Sequence, residues 1–241
     1  EHPDRFKGIV GINPTNLVPW VATVEEAVKD YGFVGAHLYP HWFGEEPGHR
    51  MYYPFYAKCA ELGIPLQIQI GHSAQHFLPT VANPMTLDRV AIDFPELKIV
   101  GIHIGYPWVE EMISVTWKHP NVYVGCDAHS PKYWDPSFVR FVNSRRGQDK
   151  VLFGTDYPVT TPQVRVAQVG PQKTSAPRNN DGARPRRSYS CSNRMHRNQA
   201  VLAHFRPYVI FHRPSCRGLY PSFPSSPNTP FQPHGIQLFR A

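Results

Sequence analysis

Long apolar runs, paired cysteines and, past residue 159, acidic side chains are scarce in this chain, and each shortage excludes something. No apolar stretch approaches the roughly 20 residues that a membrane-spanning helix needs, and Glu1-His2-Pro3-Asp4 has none of the pattern of a cleavable leader. Cys59, Cys126, Cys191 and Cys216 show no short paired spacing, which argues against a zinc knuckle or a disulfide framework and for a reducing compartment. The expectation is a cytoplasmic protein with no membrane partner. The net charge of +7 invites a nucleic-acid reading, but it is unevenly spread. Residues 1–159 carry 13 Lys and Arg against 17 Asp and Glu, a net of −4, while residues 160–241 carry 12 basic side chains and one acid, Asp181, a net of +11.

The two segments differ in kind. Residues 160–241 contain no Glu, one Lys against 11 Arg, and 11 Pro. That composition cannot bury enough apolar surface to fold. Loss of Glu and Lys with an excess of Arg, Pro and Ser is also what a GC-rich coding sequence gives when read out of frame. The segment is read as a disordered or out-of-frame tail.

Residues 1–159 alternate short apolar strands with helical stretches. Strands are placed at Ile9 to Ile12, Val34 to Tyr39, Leu66 to Ile70, Ile99 to Ile104, Val122 to Cys126 and Val151 to Thr155. Their spacing approximates the ~31 residues per unit of an eightfold strand-helix barrel. Thr23 with Glu26 reads as a capping box closed by Gly32, Tyr52 to Leu62 as a helix stopped by Gly63, and Thr86 as the cap of a turn holding Leu87, Val90 and Ala91. Val109 to Lys118 is a fourth helix, carrying Trp117 into the core, and Asp135 with Pro136 opens a fifth. Strict alternation predicts an α/β fold on a parallel sheet.

Three strands end in side chains that can hold a divalent cation. Gln69-Ile70-Gly71-His72 and Gly101-Ile102-His103-Ile104-Gly105 end in imidazoles, and Phe153-Gly154-Thr155-Asp156 ends in a carboxylate. In that last strand Gly154 lets the backbone approach a neighbour. Any one of these histidines can be an ordinary hydrogen-bonded core or loop residue. In a parallel sheet, however, all C-terminal strand ends face one rim, where His72, His103 and Asp156 would meet. His37 and His41 follow another strand but are separated by Pro40, so His37 is assigned to hydrogen bonding at the rim or to substrate. His129 is given a supporting part, and Asp127 a loop-closing one. Trp42, Phe43, Tyr106, Trp108, Tyr133 and Trp134 lie just past strand ends, where rings favour a flat or unsaturated substrate; Trp42, Tyr106 and Trp108 join His37 as candidate substrate residues. Arg50 and Lys132, in the same loops, could hold a substrate carboxylate or simply be solvated.

These motifs, with Gly35-Ala36-His37-Leu38-Tyr39-Pro40, Tyr52-Tyr53-Pro54-Phe55-Tyr56, Pro107-Trp108, His119-Pro120-Asn121-Val122-Tyr123 and Lys150-Val151-Leu152-Phe153-Gly154-Thr155-Asp156-Tyr157-Pro158, resemble the amidohydrolase-related family. That branch of metal-dependent (β/α)8 TIM-barrel enzymes includes aminocarboxymuconate-semialdehyde decarboxylase and resorcylate-type decarboxylases. The resemblance covers about two thirds of the chain. It implies an incomplete barrel with strands three to eight present, a divalent metal, zinc above others, and a small-molecule substrate. It places His72 as the fifth-strand ligand, His103 as the sixth-strand histidine that binds metal or assists the activated water, and Asp156 as the eighth-strand aspartate, so that His103 and Asp156 are catalytic as well. The family's first-strand His-x-His or Glu-x-His pair has no counterpart before Ile9, where His2 stands alone. The chain is accordingly expected to bind metal weakly, to associate through open sheet edges and to turn over little, while intact relatives form homo-oligomers. The expected reaction is hydrolysis by metal-activated water on a small, aromatic or unsaturated carboxylate-bearing substrate, with non-oxidative decarboxylation, which fits the same rim, as the alternative. A reading from another class, an inert scaffold with a nucleic-acid-binding basic tail, ranks lower because the tail holds no recognisable binding module.

Overall fold

A computed structural model of the chain describes residues 6–74 and 76–157. The expected tail and His2 lie outside them. Six strands, β1 (Val10–Gly11), β2 (Ala36–Leu38), β3 (Leu66–Gln69), β4 (Ile99–Ile102), β5 (Val122–Gly125) and β6 (Val151–Leu152), form one sheet in the order of the chain. Every neighbouring pair is parallel. Between them run α1 (Leu17–Lys29), α2 (Tyr53–Glu61), α3 (Leu87–Asp93), α4 (Val109–Lys118) and α5 (Pro136–Val142). All six strands and five helices expected from the sequence are present.

Two caps differ from expectation. Helix α1 begins at Leu17, ahead of the Thr23-Glu26 box, because Asn13 accepts from the Thr15 amide at 3.0 Å and starts a 3-10 turn that feeds the helix. Pro19 is tolerated in the first helical turn, where its missing N–H has no intrahelical partner to lose. Thr23 sits inside the helix, its hydroxyl donating to the Pro19 carbonyl at 3.0 Å. Ahead of α3, Asn83 is the capping side chain, accepting from the Met85 amide at 2.9 Å, and the Thr86 hydroxyl donates to the Asn83 carbonyl at 2.6 Å. Asp135 caps α5 as expected, accepting from Ser137 N at 2.7 Å with Pro136 at the first position.

The sheet has two unlike faces. Val10, Ile12, Ala36, Leu38, Leu66, Ile68, Ile70, Ile99, Val122, Val124, Cys126 and Val151 join the buried side chains of all five helices in one core. They occupy alternate positions, as the period of two in a strand requires. Burying a Leu or Ile of this kind contributes about 1.5–3 kcal/mol. The intervening positions form the opposite face, with Gly11, His37, Gln67, Val100 and Tyr123 in one register row and, beyond it, Gln69 paired with Ile102 and Gly125 with Leu152. Trp117 is not in the core: it is 57% exposed, with the Arg146 guanidinium 4.7 Å from its ring centre. Thr116 takes the fully buried position on α4 instead. Among the described residues, no helix is long and apolar enough to cross a membrane. Cys59 and Cys126 are buried, and burial pushes the Cys59 thiol up to about 12.

The N-terminal ends of the strands are braced by polar side chains. Asn121 Nδ2 donates to the carbonyls of Phe94 and Leu97 at 3.0 and 3.1 Å, tying the start of β5 to the loop before β4. Lys150, buried, donates from Nζ to the carbonyls of His119, Pro120 and Val122 at 2.9, 2.5 and 3.0 Å, with its ammonium over the Tyr123 ring. Asp88 accepts from His119 Nε2 and Lys118 Nζ, both at 2.7 Å. The family-like His119-Pro120-Asn121-Val122-Tyr123 stretch is thus a brace. Tyr52-Tyr53-Pro54-Phe55-Tyr56 is core: Tyr52, Phe55 and Tyr56 are fully buried, and the Tyr56 hydroxyl donates to the Pro47 carbonyl at 2.7 Å.

Replacing Lys150 by Met takes the ammonium donor from three carbonyls, of which that of His119 keeps the Val122 amide at 3.5 Å, and should lower unfolding free energy by about 1–3 kcal/mol, measured by urea denaturation; an unchanged midpoint would remove Lys150 as a brace. Lys118 and then His119 hold the Asp88 carboxyl below its usual range, so its contribution is complete above about pH 4 and disappears as pH falls through the lowered value. Asp88→Asn should therefore flatten part of the acid loss of thermal stability below about pH 4 and, near neutrality, be less stable than the native chain.

Candidate active site

The C-terminal ends of the strands gather histidines and acids on the polar side of the sheet. His37 lies within β2, Tyr39 and His41 just past it, His72 past β3, His103 directly after β4, Asp127 past β5 and Asp156 past β6. His103, Ile104, Ala128 and Asp156 have left-handed backbone, with φ of 64°, 51°, 57° and 56°. Each such residue costs on the order of 1–3 kcal/mol, and such strain concentrates at functional positions. His and Asp adopt this region more readily than most side chains.

Hydrogen bonds assign several of the ring nitrogens. His41 Nε2 donates to the Gly71 carbonyl at 2.9 Å. His72 donates its backbone N–H and Nδ1 to the Tyr106 carbonyl at 2.8 and 3.3 Å, which leaves Nε2 as the lone-pair nitrogen. Tyr39 and Ser73 hydroxyls meet at 2.6 Å. The Nδ1 atoms of His37, His41 and His103 are buried without a hydrogen-bond partner. A polar atom buried in this way costs free energy unless something fills the space beside it.

The charges interlock. Burial opposes charge on His103, but the Asp127 carboxylate 3.5 Å from Nδ1, with Asp156 adding to it, lifts its pKa above the ordinary histidine value. Asp127, which burial would raise, is drawn down to about 2 by His103. Burial, then the charge of His103, pulls His37 down to about 4, and burial also lowers His41, with His103 and His72 adding to the effect. His37 and His41 are therefore neutral near pH 7 while His103 can carry a proton. Asp156 also raises Tyr39, behind the larger effect of burial.

The residues picked from the sequence thus share one end of the sheet, and His103 lies within electrostatic reach of His37, His41, Asp127 and Asp156. Among the described residues, no three His, Cys, Asp or Glu side chains are drawn together closely enough to hold a metal ion. In kind the donors suit a divalent cation, being neutral imidazoles with unpartnered nitrogens beside carboxylates. The rim aromatics divide. Trp42, 57% exposed, stacks on Tyr39 with ring centres 4.7 Å apart, and Tyr106, 45% exposed, packs against His72 and His129, each at 5.1 Å. Trp108 is half-buried at the start of α4. Trp134, expected at the rim, belongs to the core, its ring against Phe138 and its Nε1 donating to the His129 carbonyl at 2.9 Å. Arg50 and Lys132 are exposed, Lys132 over the Tyr133 ring.

Asp127 does more than close a loop. It accepts the His103 backbone N–H at 2.7 Å and sets the charge of its neighbour. The signal was available in the sequence, since Asp127 continues the alternation of Tyr123 and Gly125 on the polar face. His41 carries no such signal in the sequence: only the tertiary contact to Gly71 shows its nitrogen assignment.

The amidohydrolase family model matches residues 1–172. A 2-keto-4-carboxy-3-hexenedioate hydratase from Sphingobium sp. is 28% identical over 44% of this chain and 38% of its own length, so the chain spans well under half of that curated relative. An uncharacterised TIM-barrel protein from Bordetella bronchiseptica matches with a TM-score of 0.65 at 29% identity, over 86% of this chain and 69% of the other. The six strands are accordingly part of a TIM barrel. The 5-carboxyvanillate decarboxylase of Novosphingobium aromaticivorans, solved with bound manganese and 3-methoxy-4-hydroxy-5-nitrobenzoic acid, shares the fold at a TM-score of 0.54 and 20% identity, over 70% of this chain and 60% of the other.

A methyl group at Gly71 would stand 2.2 Å from the Tyr106 carbonyl oxygen, and the residue has φ of +85°. Gly71→Ala should cost roughly 2–4 kcal/mol from backbone strain and overpacking together. Urea denaturation measures it; a loss under ~0.5 kcal/mol, within the range of ordinary surface substitutions, would show that this approach does not hold the end of β3.

Proposed function

Because the chain belongs to the amidohydrolase family, we propose that it serves a metal-dependent enzyme acting on a small aromatic or unsaturated carboxylate, with proton transfer to or from substrate carbon as the central step. The observation that carries this reading is the buried His103 imidazole, kept protonatable by Asp127 beside neutral His37 and His41. A proton-loaded ring next to rings that cannot compete for the proton is an acid-base group able to give that proton up. Tyr106 and the stacked Tyr39 and Trp42 offer flat surfaces to a conjugated skeleton.

His72 and Asp156 are the residues that would hold the cation, zinc or, as in the manganese-bound decarboxylase, manganese, with His103 joining them only when its ring is neutral, since a proton-loaded imidazole has no lone pair to give. When bound, such an ion polarises a substrate carboxylate or carbonyl and lowers the pKa of its water. The chain's own part is to position the substrate ring, hold the proton on His103 and keep His37 neutral. Proton transfer to carbon is common to decarboxylation and to hydration of a conjugated acid, and the decarboxylase and hydratase relatives support that class. Hydrolysis is a second reading, favoured by Asp156 within electrostatic reach of His103, a carboxylate able to orient an attacking water. The homo-oligomer expected of intact relatives extends to this chain as a proposal.

The test is to supply the protein with Zn²⁺ or Mn²⁺ and a panel of hydroxybenzoates, conjugated keto acids, esters and lactones, following CO2 release, loss of conjugated absorbance and acid release. CO2 release or bleaching that stops on chelation and falls about 10²–10⁴-fold in His103→Asn is expected. Turnover of esters and lactones alone would establish hydrolysis instead, and activity that survives chelation would overturn the metal.

A further inference from the structure

The polar end of the sheet holds one charged side chain whose surroundings are more specific than loop closure needs. Asp127 is 4% exposed, past the end of β5, and its Oδ1 takes the His103 backbone N–H at 2.7 Å while standing 3.5 Å from Nδ1 of the same residue. The neighbouring backbone is stripped of side chains to make room. A methyl group at Gly125 would lie 3.3 Å from Asp127 Oδ1, and one at Gly154 would lie 3.0 Å from Asp127 Cβ. Glycines on β5 and after β6 thus leave the space that the carboxylate fills. The gripped residue, His103, is itself in left-handed backbone, as is Ile104 after it.

Pinning the turn requires only the backbone contact. One oxygen accepting one N–H would hold His103 at φ of 64° equally well if the acid were an amide. A full charge in a buried site is costly unless paired, so the charge itself has a use. The group it faces is the His103 ring, whose Nδ1 is buried with no hydrogen-bond partner of its own. A carboxylate at 3.5 Å favours the tautomer that carries its proton on the nearer nitrogen, because the N–H dipole then points at negative charge. The other nitrogen, Nε2, is left with its lone pair.

We propose that Asp127 is the positioning residue for His103: it fixes the backbone turn through one hydrogen bond and, through its charge, holds the ring proton on Nδ1 so that Nε2 is the nitrogen presented to cation or substrate. This deepens the assignment of His103 made above and rests on it. The same logic applies to His72, whose Nδ1 donates to the Tyr106 carbonyl, leaving the lone pair on Nε2. The two rings then present the same nitrogen, one set by a carbonyl and the other by a carboxylate. Outer partners of this kind orient ligating imidazoles in metal sites generally.

Asp127→Asn separates the two roles, since its side-chain oxygen can still accept the His103 amide while the charge is gone. Histidine-labelled protein, assigned by comparison with His103→Asn, reports each ring nitrogen by its ¹⁵N shift. In the native chain His103 should show a protonated Nδ1 and, wherever the ring is neutral, a lone-pair Nε2. In Asp127→Asn it should shift toward the Nε2-protonated or a mixed form with the fold retained by circular dichroism. Zn²⁺ affinity, measured by calorimetry, should fall about 10–100-fold. A His103 tautomer unchanged in the amide variant would reduce Asp127 to a backbone pin and overturn the proposal. If Asp127→Asn fails to fold, the native ¹⁵N spectrum decides alone, and an Nε2-protonated His103 there overturns it. Native protein that shows the Nδ1-protonated ring yet binds no Zn²⁺ would count against the metal reading of the preceding section while supporting the role of Asp127.

Discussion

Parallel hydrogen-bonded pairing of six strands in chain order is the constraint on which everything else in this molecule depends. Because each strand runs the same way as its neighbours, all C-terminal ends lie along one edge, and residues from 37 to 156 become neighbours there. The same pairing fixes the faces, since a register row that begins at Gly11 passes through His37, Gln67, Val100 and Tyr123. A slip of one residue in any strand would turn its core side chains toward the polar face. The fully buried Leu38, Leu66, Ile68, Ile99, Val122 and Val124 oppose such a slip.

The two ends of the sheet are built for different ends. At the N-terminal side the polar groups satisfy one another: Asn121 and Lys150 supply donors to six backbone carbonyls, and Asp88 joins Lys118 to His119. At the C-terminal side, one nitrogen each of His37, His41 and His103 is buried without a partner, and the backbone enters the left-handed region at His103, Ile104, Ala128 and Asp156. Stability is concentrated at one end, and unmet polar capacity with local strain at the other, an arrangement that barrel enzymes share.

His103 shows how the strain and the electrostatics combine. Its turn is held by an acid from the next strand, glycines on two sides give that acid room, and the acid's charge raises the proton affinity of the ring it pins. His37, two strands away on β2, is affected in the opposite direction because burial and the charge on His103 both act against its own protonation. Two histidines a few residues from strand ends thus acquire different protonation states from their surroundings alone.

The sequence by itself determined the alternation of elements, the parallel sheet and the end of the sheet where the chemistry would lie, because hydrophobic period, turn glycines and strand-end His and Asp are local signals. It determined α4 to the residue, and placed His72, His103 and Asp156 at the correct end of their strands. Only the tertiary structure decided which ring nitrogens are used, which histidines stay neutral, that Trp117 faces outward and Trp134 inward, and that Asp127 grips His103. Those outcomes depend on contacts between residues 24 to 34 positions apart, and on burial, which is a property of the assembled core. A local pattern carries neither.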